Sequence, residues 1–271
     1  MIPFDYITEW RSRAPWLSDL QVEQDLVLSR AVVEMFNMDE VAGSVAFRGG
    51  TALYKLHVLP PSRYSEDIDL VQTSPGPIGK TLNAVREVLD PWLGVPRWTP
   101  KENRVNLVYR FSAEGPSSVS LRLKIEVNSR EHFSVFPIEE RRIDISSRWF
   151  SGSASIRTYA LDELLGTKLR ALYQRRKGRD LFDLYEANRR ARIDPSRIVE
   201  CFRRYLEYGG LRVSRAEFEA NLYEKLAHED FGRDVAPLLA DGGAWDVKAA
   251  SDFVLNELVA LLPGEPWKGK E

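Results

Sequence analysis

Two aspartates separated by one residue, Asp67 and Asp69, have the spacing in this sequence that most directly suggests chemistry. Alternate side chains of a β-strand project to the same face, so a strand from Asp67 to Val71 would place both carboxylates side by side. Adjacent carboxylates repel each other unless a cation lies between them. The pair therefore suggests a divalent metal ion bound through oxygen, although a single Asp-x-Asp is also common at the end of a surface strand.

A Gly-Gly-Thr sequence, Gly49 to Thr51, lies shortly before the aspartates. Glycines allow a backbone to approach a ligand closely, and the amides at the start of a following helix bind phosphate oxygens. The Thr51 hydroxyl adds a donor. Taken alone, the sequence is common and is better explained by a simple tight turn. Together with Asp67 and Asp69, it describes a triphosphate-binding turn beside a metal site.

A third carboxylate, Glu126, lies on a predicted strand from Val119 to Val127, where apolar residues occupy every odd position. The polar face of this strand carries Arg122, Lys124 and Glu126. A carboxylate from an adjacent strand would complete a ligand set for two Mg²⁺ ions, which activate an attacking hydroxyl and stabilise a leaving pyrophosphate. Alternatively, these side chains form the solvent face of a one-sided sheet.

The segment from Lys168 to Arg192 is strongly basic, with nine lysines and arginines against three acids. Such an excess of positive charge suits polyanions such as triphosphates or RNA, but it is also typical of a solvated helix surface. Within this segment, Asp180 and Asp183 lie three residues apart on one predicted helix face. They would anchor either a basic residue or the nucleotide, or they are acids of a helix start that form ordinary intrahelical ion pairs.

The elements that position these residues change in type near residue 160. Mixed helices and strands precede that point, and helices follow it to the end of the chain. Ser18 and Gln21 form a capping box before the first predicted helix. The predicted helices cover residues 19–38, 51–59, 78–92, 161–173, 179–192, 194–209, 214–227 and 246–262. Asp162 or the residues just before it are expected to cap the fourth. The predicted strands cover residues 44–47, 67–71, 105–111, 119–127, 142–148 and 155–159, and Gly115 to Ser118 is a predicted hairpin loop.

Composition excludes several classes of protein. The 271 residues carry a net charge of −2 and a single cysteine, Cys201, which rules out an intrachain disulfide and a cysteine-rich zinc site. The sequence has neither an apolar run long enough to span a membrane nor a secretory signal, so we expect a cytoplasmic protein. His57, His132 and His228 have no partner at metal-ligand spacing and are assigned no function. Cys201 lies on an apolar helix face and is expected in the core.

Five motifs in this order resemble the AbiEii/AbiGii nucleotidyltransferase toxin family, which belongs to the polymerase-β-like superfamily. They are Gly-Gly-Thr-Ala-Leu, Arg-Tyr-Ser-Glu-Asp-Ile-Asp-Leu, Lys-Ile-Glu-Val, Lys-Leu-Arg-Ala-Leu and Lys-Gly-Arg-Asp-Leu-Phe-Asp-Leu. They span roughly residues 45–190, and the C-terminal helices carry no matching motif.

The resemblance implies an α+β fold, in which a small mixed sheet flanked by helices forms a polymerase-β-like core. On this basis residues 1–160 are the nucleotidyltransferase core, 161–262 a helical domain that completes the cleft, and 263–271 a disordered polar tail. The implied reaction transfers a nucleoside monophosphate from an NTP to an acceptor and releases pyrophosphate.

Motif matching also implies roles for individual residues. Asp67 and Asp69 match the metal ligands, and Lys168 and Asp183 match the essential Lys and Asp of the family. Glu126 is the third catalytic acid, although the wider superfamily has Asp at its position and has Gly-Ser where this chain has Gly50 and Thr51. The residues assigned to nucleotide binding are Gly49, Gly50, Thr51, Arg63, Ser65, Lys124 and Asp180. We expect Lys168 and Asp183 to face the aspartate pair across the cleft.

The resemblance further implies one or two Mg²⁺ ions as cofactor, the 3′ end of tRNA as acceptor, and a cognate antitoxin with a winged-helix DNA-binding part. Transfer to tRNA would block translation. Two alternatives remain at this point. The acceptor is instead a small molecule, another protein or the enzyme itself, for example at Ser65, or the pocket binds nucleotide for regulation without turnover.

Overall fold

The computed structural model describes residues 2–101, 103–114, 119–240 and 245–269, so the predicted hairpin loop at residues 115–118 lies outside the described residues. The chain divides into two compact units, Met1–Tyr159 and Ala160–Glu271.

The first unit is built on one mixed sheet, in which seven strands pair within the described residues. The strands are β1 (Val45–Arg48), β2 (Asp67–Gln72), β3 (Arg97–Lys101), β4 (Arg104–Ser112), β5 (Ser120–Asn128), β6 (Glu139–Ser146) and β7 (Ser151–Thr158). Their order across the sheet is β3-β4-β5-β2-β1-β7-β6. The β2–β5 and β1–β7 pairs are parallel, and the other pairs are antiparallel.

Helices pack beside this sheet and complete the α+β fold that the sequence predicts. They are α1 (Phe4–Trp10), α2 (Asp19–Phe36), α3 (Asp39–Ser44), α4 (Gly49–Ala52) and α5 (Gly79–Leu93). The predicted capping box is present, because Ser18 and Gln21 satisfy each other's backbone amides at the start of α2. Helix α4 begins two residues earlier than predicted and continues as a π-helical turn, Leu53–His57.

Three elements of the first unit, α1, α3 and β3, were not predicted. Strand β3 contains Pro100 and lies at the edge of the sheet, which is where a strand tolerates a residue without an N–H. Helix α1 has no side chain that caps its N-terminus, so its sequence lacks the usual start signal.

The second unit is helical, as predicted. Its helices are α6 (Leu161–Gln174), α7 (Gly178–Arg190), α8 (Pro195–Tyr208), α9 (Arg215–Leu226), α10 (Asp230–Arg233) and α11 (Val247–Phe253), with short 3₁₀ or π segments at Ala236–Leu238, Val254–Leu258 and Val259–Leu261. None of the helices within the described residues is long and apolar enough to span a membrane.

Capping explains where some of these helices begin. Asp194 caps α8 and Ser214 forms a capping box at α9. The prediction that Asp162 caps α6 is wrong, because no side chain caps that helix. Asp162 instead accepts a hydrogen bond from the Asp194 amide and pairs with Arg197, so it links α6 to the start of α8.

The C-terminal tail differs from the expectation of disorder in the part that is described. The Trp267 ring lies 5.3 Å from the Tyr223 ring, and its amide donates to Glu219 at 2.7 Å. An aromatic residue thus anchors a segment whose overall composition is polar.

Gly166 sets the close packing of α6 against α8. A Cβ atom at this position would overlap the Cβ of Cys201 and lie 2.9 Å from the Ile198 carbonyl oxygen. Cys201 is fully buried, as predicted, and burial raises the pKa of its thiol. Cys201 is therefore a packing residue of this helix pair.

We expect Gly166→Ala to lower the free energy of unfolding by about 2 kcal/mol, since overpacking against a backbone carbonyl outweighs the better helix propensity of alanine. Chemical denaturation measures the change. Gly43→Ala in α3 is the matched control, because nothing lies within 4 Å of its added Cβ. A Gly166→Ala variant as stable as Gly43→Ala would show that the packing of α6 against α8 does not require a glycine at position 166.

Candidate active site

Three neighbouring strands bring the predicted acidic residues into one row. Asp69 on β2 is paired with Arg48 on β1 and with Glu126 on β5, and Asp67 is paired with Lys124. Asp67 and Asp69 lie two residues apart on the same face of β2 and are partly exposed, whereas Ile68 between them is fully buried. The sequence pattern had placed Glu126 on an adjacent strand, and the register places it directly beside Asp69.

The Gly-Gly turn lies against this row. Gly49 adopts φ +85°, a left-handed conformation that glycine adopts without strain. A Cβ at Gly49 would overlap Asp69 Oδ2 and lie 2.9 Å from Asp69 Cγ. The absence of a side chain at Gly49 is therefore what allows the Asp69 carboxylate to lie against the backbone of the turn.

The next two residues of the turn fix the segment before the aspartates. A Cβ at Gly50 would lie 2.7 Å from Arg63 Nη2 and 3.0 Å from Ser65 Oγ. Thr51 is buried, and its hydroxyl donates to the Asp67 carbonyl oxygen at 2.6 Å and lies 2.9 Å from Ser65 Oγ. Thr51 thus binds the strand that carries the aspartates, a contact that the sequence did not predict.

Lys124 is the central cation of the site. Its ammonium lies 3.0 Å from Glu126 Oε2 and 3.5 Å from Asp67 Oδ2. Burial lowers the pKa of Lys124, but the charges of Asp67 and Glu126 and the hydrogen bond to Glu126 outweigh burial, so this pKa lies above its ordinary value. Lys124 is therefore held as a cation between two carboxylates.

Two further arginines of the site were missed by sequence reasoning. Arg104 on β4 lies 3.4 Å from Glu126, and Arg48 forms a 2.6 Å ion pair with Glu131. Arg48 directly precedes Gly49, so its position in the motif was a usable signal. Arg104 could be found only by knowing that β4 pairs with β5.

The expected set of three carboxylate metal ligands is not assembled. Among the residues that the structure describes, no three His, Cys, Asp or Glu side chains are grouped so that they could hold a metal ion. Glu126 is instead engaged by Lys124 and Arg104. Asp67 and Asp69 remain as a pair on one face of β2.

A second cluster of predicted residues lies within the helical unit. Lys168 on α6 lies 2.9 Å from Asp183 and 3.6 Å from Asp180, both on α7. Arg175 binds Asp180 through two hydrogen bonds of 2.7 and 2.8 Å. Both aspartates are fully buried. The alternative of ordinary intrahelical ion pairs is therefore wrong for these aspartates, since their partners come from α6 and the segment after it.

The remaining basic residues of this segment divide into paired and unpaired cations. Arg189 and Arg190 both bind Glu186. Within the described parts of the chain, no carboxylate lies within ion-pair distance of Arg176, Lys177, Arg179 or Arg192. Arg176 and Lys177 are the exposed members of this group at the end of α6.

Two histidines of the first unit, His57 and His132, have surroundings that affect their rings. Burial lowers the pKa of His57 to about 4, so its ring is neutral at physiological pH. His132 Nδ1 lies 3.0 Å from the Gln72 carbonyl oxygen.

We expect Asp183→Asn to lower the free energy of unfolding by about 3 kcal/mol, because it leaves the buried Lys168 ammonium without its closest counter-charge. Urea denaturation of the full chain measures this loss. Asp67→Asn is the control, since its ion pair is part-exposed and its loss should cost less than about 1 kcal/mol. Equal stability of the two variants would contradict a structural role for the buried pair.

The structure resembles those of two other bacterial proteins. JHP933 from Helicobacter pylori superposes with a TM-score of 0.53 at 17% sequence identity, over 90% of this chain and 92% of that one. MenT4, a nucleotidyltransferase toxin from Mycobacterium tuberculosis, superposes with a TM-score of 0.53 at 16% identity, over 94% of this chain and 99% of that one. Similarity at this level of identity shows a shared fold. No significant match was found among curated protein sequences.

A family model supplies the assignment that these structures alone do not. The model describes the nucleotidyl transferase AbiEii toxin of type IV toxin–antitoxin systems, and it matches residues 30–252. The match covers most of the chain and includes all five motifs from which the resemblance was drawn. The chain therefore belongs to the AbiEii nucleotidyltransferase toxin family.

Proposed function

We propose that this protein uses Mg²⁺ to transfer a nucleoside monophosphate from an NTP to the 3′ end of tRNA, which blocks translation. Family membership establishes that the chain is a nucleotidyltransferase and the toxin of a type IV toxin–antitoxin system. The observation that carries the proposal is the contact between the Gly49 backbone and the Asp69 carboxylate. It brings a candidate phosphate-binding turn into contact with a candidate metal ligand.

The aspartate pair fits a magnesium ion that arrives with its nucleotide. Mg²⁺ in nucleotide sites is bound by one or two carboxylates together with substrate phosphates, and not by a complete cage of protein ligands. Asp67 and Asp69 supply two carboxylates on one partly exposed face, and the Gly49 turn leaves room beside Asp69. When bound, the metal would polarise the phosphate and neutralise the charge that develops on pyrophosphate.

The Gly49 turn and the helical segment that follows it also support phosphate binding. The helical segment starts at Gly49, which lies against the Asp69 carboxylate, and continues through Leu53–His57. Amides at a helix start favour anions. Thr51 ties this helix to β2 through the Asp67 carbonyl. The spacing between turn and carboxylates is thereby fixed before a substrate binds.

The chemistry at this site is an in-line displacement. The acceptor hydroxyl oxygen forms a bond to the α-phosphorus, the bond from that phosphorus to the α–β bridging oxygen breaks, and the hydroxyl proton passes to solvent. We assign Asp67 and Asp69 to the metal, and the backbone of Gly49, Gly50 and Thr51 to the phosphates, because the Thr51 hydroxyl already donates to the Asp67 carbonyl oxygen. Lys124 and Arg104 hold Glu126 in place, which makes Glu126 a positioning residue for the row and not a third metal ligand.

The basic residues of the helical unit are assigned a less direct role in the transfer reaction. Asp180 and Asp183 are fully buried, and Asp183 holds the Lys168 ammonium while Asp180 holds Arg175. We propose that these aspartates orient the two cations toward phosphate groups. That Lys168 and Asp183 face Asp67 and Asp69 across a cleft stays a prediction.

The partners follow in part from the family. A type IV toxin–antitoxin system includes an antitoxin. That this antitoxin carries a winged-helix DNA-binding part, and that the acceptor is tRNA, belong to the proposal. Cytoplasmic residence also remains a prediction.

Replacing either aspartate should remove transfer while leaving the fold intact. We expect Asp67→Asn and Asp69→Asn to reduce transfer by about 1,000-fold, because each removes part of the charge that holds the metal in the transition state. The assay mixes purified protein with total tRNA, Mg²⁺ and each α-labelled NTP in turn, and separates labelled RNA from labelled protein. Glu66→Gln is the control, since Glu66 pairs only with the surface residue Arg122 in the described contacts.

Three results of this assay would change the proposal. Label that travels with the protein and not with RNA would move the acceptor to the enzyme, for example to Ser65. Label on neither, together with pyrophosphate release, would indicate a small-molecule acceptor. Label and pyrophosphate absent with every NTP would contradict the proposed reaction.

A second prediction concerns the turn. Gly49→Ala should reduce transfer by about 100-fold, because the added methyl group displaces the Asp69 carboxylate and a displacement of about 1 Å costs that much in an oriented site. Circular dichroism should show an unchanged fold. Gly43→Ala, in open space, is the matched control. Full activity of Gly49→Ala would show that Asp69 is not held by the turn.

A further inference from the structure

The register of the sheet places a basic residue directly opposite each aspartate of β2. Lys124 on β5 is paired with Asp67, and Arg48 on β1 is paired with Asp69. Directly paired residues of antiparallel strands project to the same face, with Cβ atoms about 4.5–5.5 Å apart. The arginine side chain is therefore long enough to reach the Asp69 carboxylate from β1.

The two basic residues make different ion pairs. Lys124 lies 3.5 Å from Asp67 Oδ2, so it pairs with the aspartate opposite. Arg48 forms a 2.6 Å ion pair with Glu131, a residue of the loop after β5. The two side chains of this pair are only 14% and 10% exposed. A short, charged hydrogen bond in a mostly buried place is a strong contact, so Arg48 is drawn towards a carboxylate outside the row of the aspartates.

The loop after β5 fixes the Glu131 carboxylate. Asn128, the last residue of β5, accepts hydrogen bonds from the Arg130 and Glu131 amides at 2.9 and 3.1 Å, and its side-chain amide donates to Glu131 Oε2 at 3.2 Å. In the same loop, His132 Nδ1 lies 3.0 Å from the carbonyl oxygen of Gln72, at the end of β2. The position of Glu131 is therefore set by β5 and β2, and not by Arg48 alone.

The Asp69 carboxylate lies close to the end of β1 that carries Arg48. A Cβ at Gly49, the residue directly after Arg48, would overlap Asp69 Oδ2. A guanidinium binds a carboxylate through a planar fork of N–H donors, and Mg²⁺ binds the same carboxylate oxygens. An arginine and a metal ion at Asp69 would therefore compete with each other.

We propose that Glu131 is a positioning residue that holds the Arg48 guanidinium away from Asp69, so that the Asp69 carboxylate binds Mg²⁺ and not arginine. This inference rests on the proposed function, because it concerns the metal assigned to Asp67 and Asp69. Glu131 acts through Arg48 and contacts neither the metal nor the nucleotide. Without the charge of Glu131, Arg48 turns to the carboxylate opposite it, and Mg²⁺ has to displace an arginine before it binds.

The test compares Glu131→Gln with the double variant Arg48→Gln/Glu131→Gln, because only the single variant leaves a charged Arg48 without Glu131. Glu219→Gln is the matched control. Glu219 in the helical unit pairs with Arg215 at 2.6 Å, and its side chain is 9% exposed. One readout is the Mg²⁺ concentration that gives half-maximal transfer by the full chain. The other, which needs no turnover, is calorimetric binding of a non-hydrolysable NTP analogue at a series of Mg²⁺ concentrations.

We expect Glu131→Gln to raise the Mg²⁺ concentration required in both readouts by about tenfold, because an arginine–carboxylate contact that has to be displaced is worth about that factor. The rate at saturating Mg²⁺ should stay close to that of the wild type, since the competitor is then displaced. The double variant should return to the wild-type Mg²⁺ requirement. Glu131→Asp keeps the charge on a shorter side chain and should raise the requirement by about threefold, which provides the same test if Glu131→Gln folds poorly.

An unchanged Mg²⁺ requirement in Glu131→Gln and Glu131→Asp overturns the proposal, and so does a double variant that needs as much Mg²⁺ as Glu131→Gln. A purely structural ion pair predicts that Glu131→Gln, like Glu219→Gln, loses stability in urea and keeps the wild-type Mg²⁺ requirement. Failure of the proposed function gives a different result. A wild-type chain that binds the analogue equally with and without Mg²⁺ removes both proposals, whereas a normal wild-type response that Glu131→Gln leaves unchanged removes only the role of Glu131.

Discussion

The contact between the Gly49 backbone and the Asp69 carboxylate is the constraint on which the site depends. It exists because β1 and β2 pair antiparallel, so the residue before the turn, Arg48, is opposite Asp69. The left-handed conformation at Gly49 then turns the chain directly beside that carboxylate. Two short sequence segments that are separated along the chain thereby become one surface. A side chain at Gly49 would separate them, whatever residues followed.

The electrostatics of the row change one part of the sequence interpretation. Two adjacent carboxylates were taken to require a cation, and the structure already supplies one in Lys124, 3.5 Å from Asp67. Charge repulsion alone therefore does not demonstrate a metal site. What favours a metal is the combination of the partly exposed face of Asp67 and Asp69 with an adjacent turn that we propose binds phosphate. Glu126, bound by Lys124 and Arg104, stabilises the position of Lys124 and is less available as a ligand.

Local signals predicted much of the fold, and non-local pairing explains most of what they missed. Strict alternation found β5, and the capping residues Ser18, Asp194 and Ser214 marked helix starts. The edge strand β3 was missed because Pro100 opposes a strand assignment, and α1 was missed because it lacks a cap. The motifs identified the family and the aspartate pair. They could not show that Arg104 reaches Glu126 or that Asp180 and Asp183 are fully buried, since both depend on which elements pack together.

The central claim is that the aspartate pair and the Gly49 turn bind a divalent cation and a triphosphate as one unit. The most direct measurement is calorimetric titration of the wild-type chain with a non-hydrolysable NTP analogue, in Mg²⁺ and in a chelator. If they bind jointly, Mg²⁺ should raise the affinity for the analogue by at least about tenfold, because the metal links the carboxylates to the phosphates. Equal affinity with and without Mg²⁺ would contradict the account, because the carboxylates would then contribute nothing to nucleotide binding.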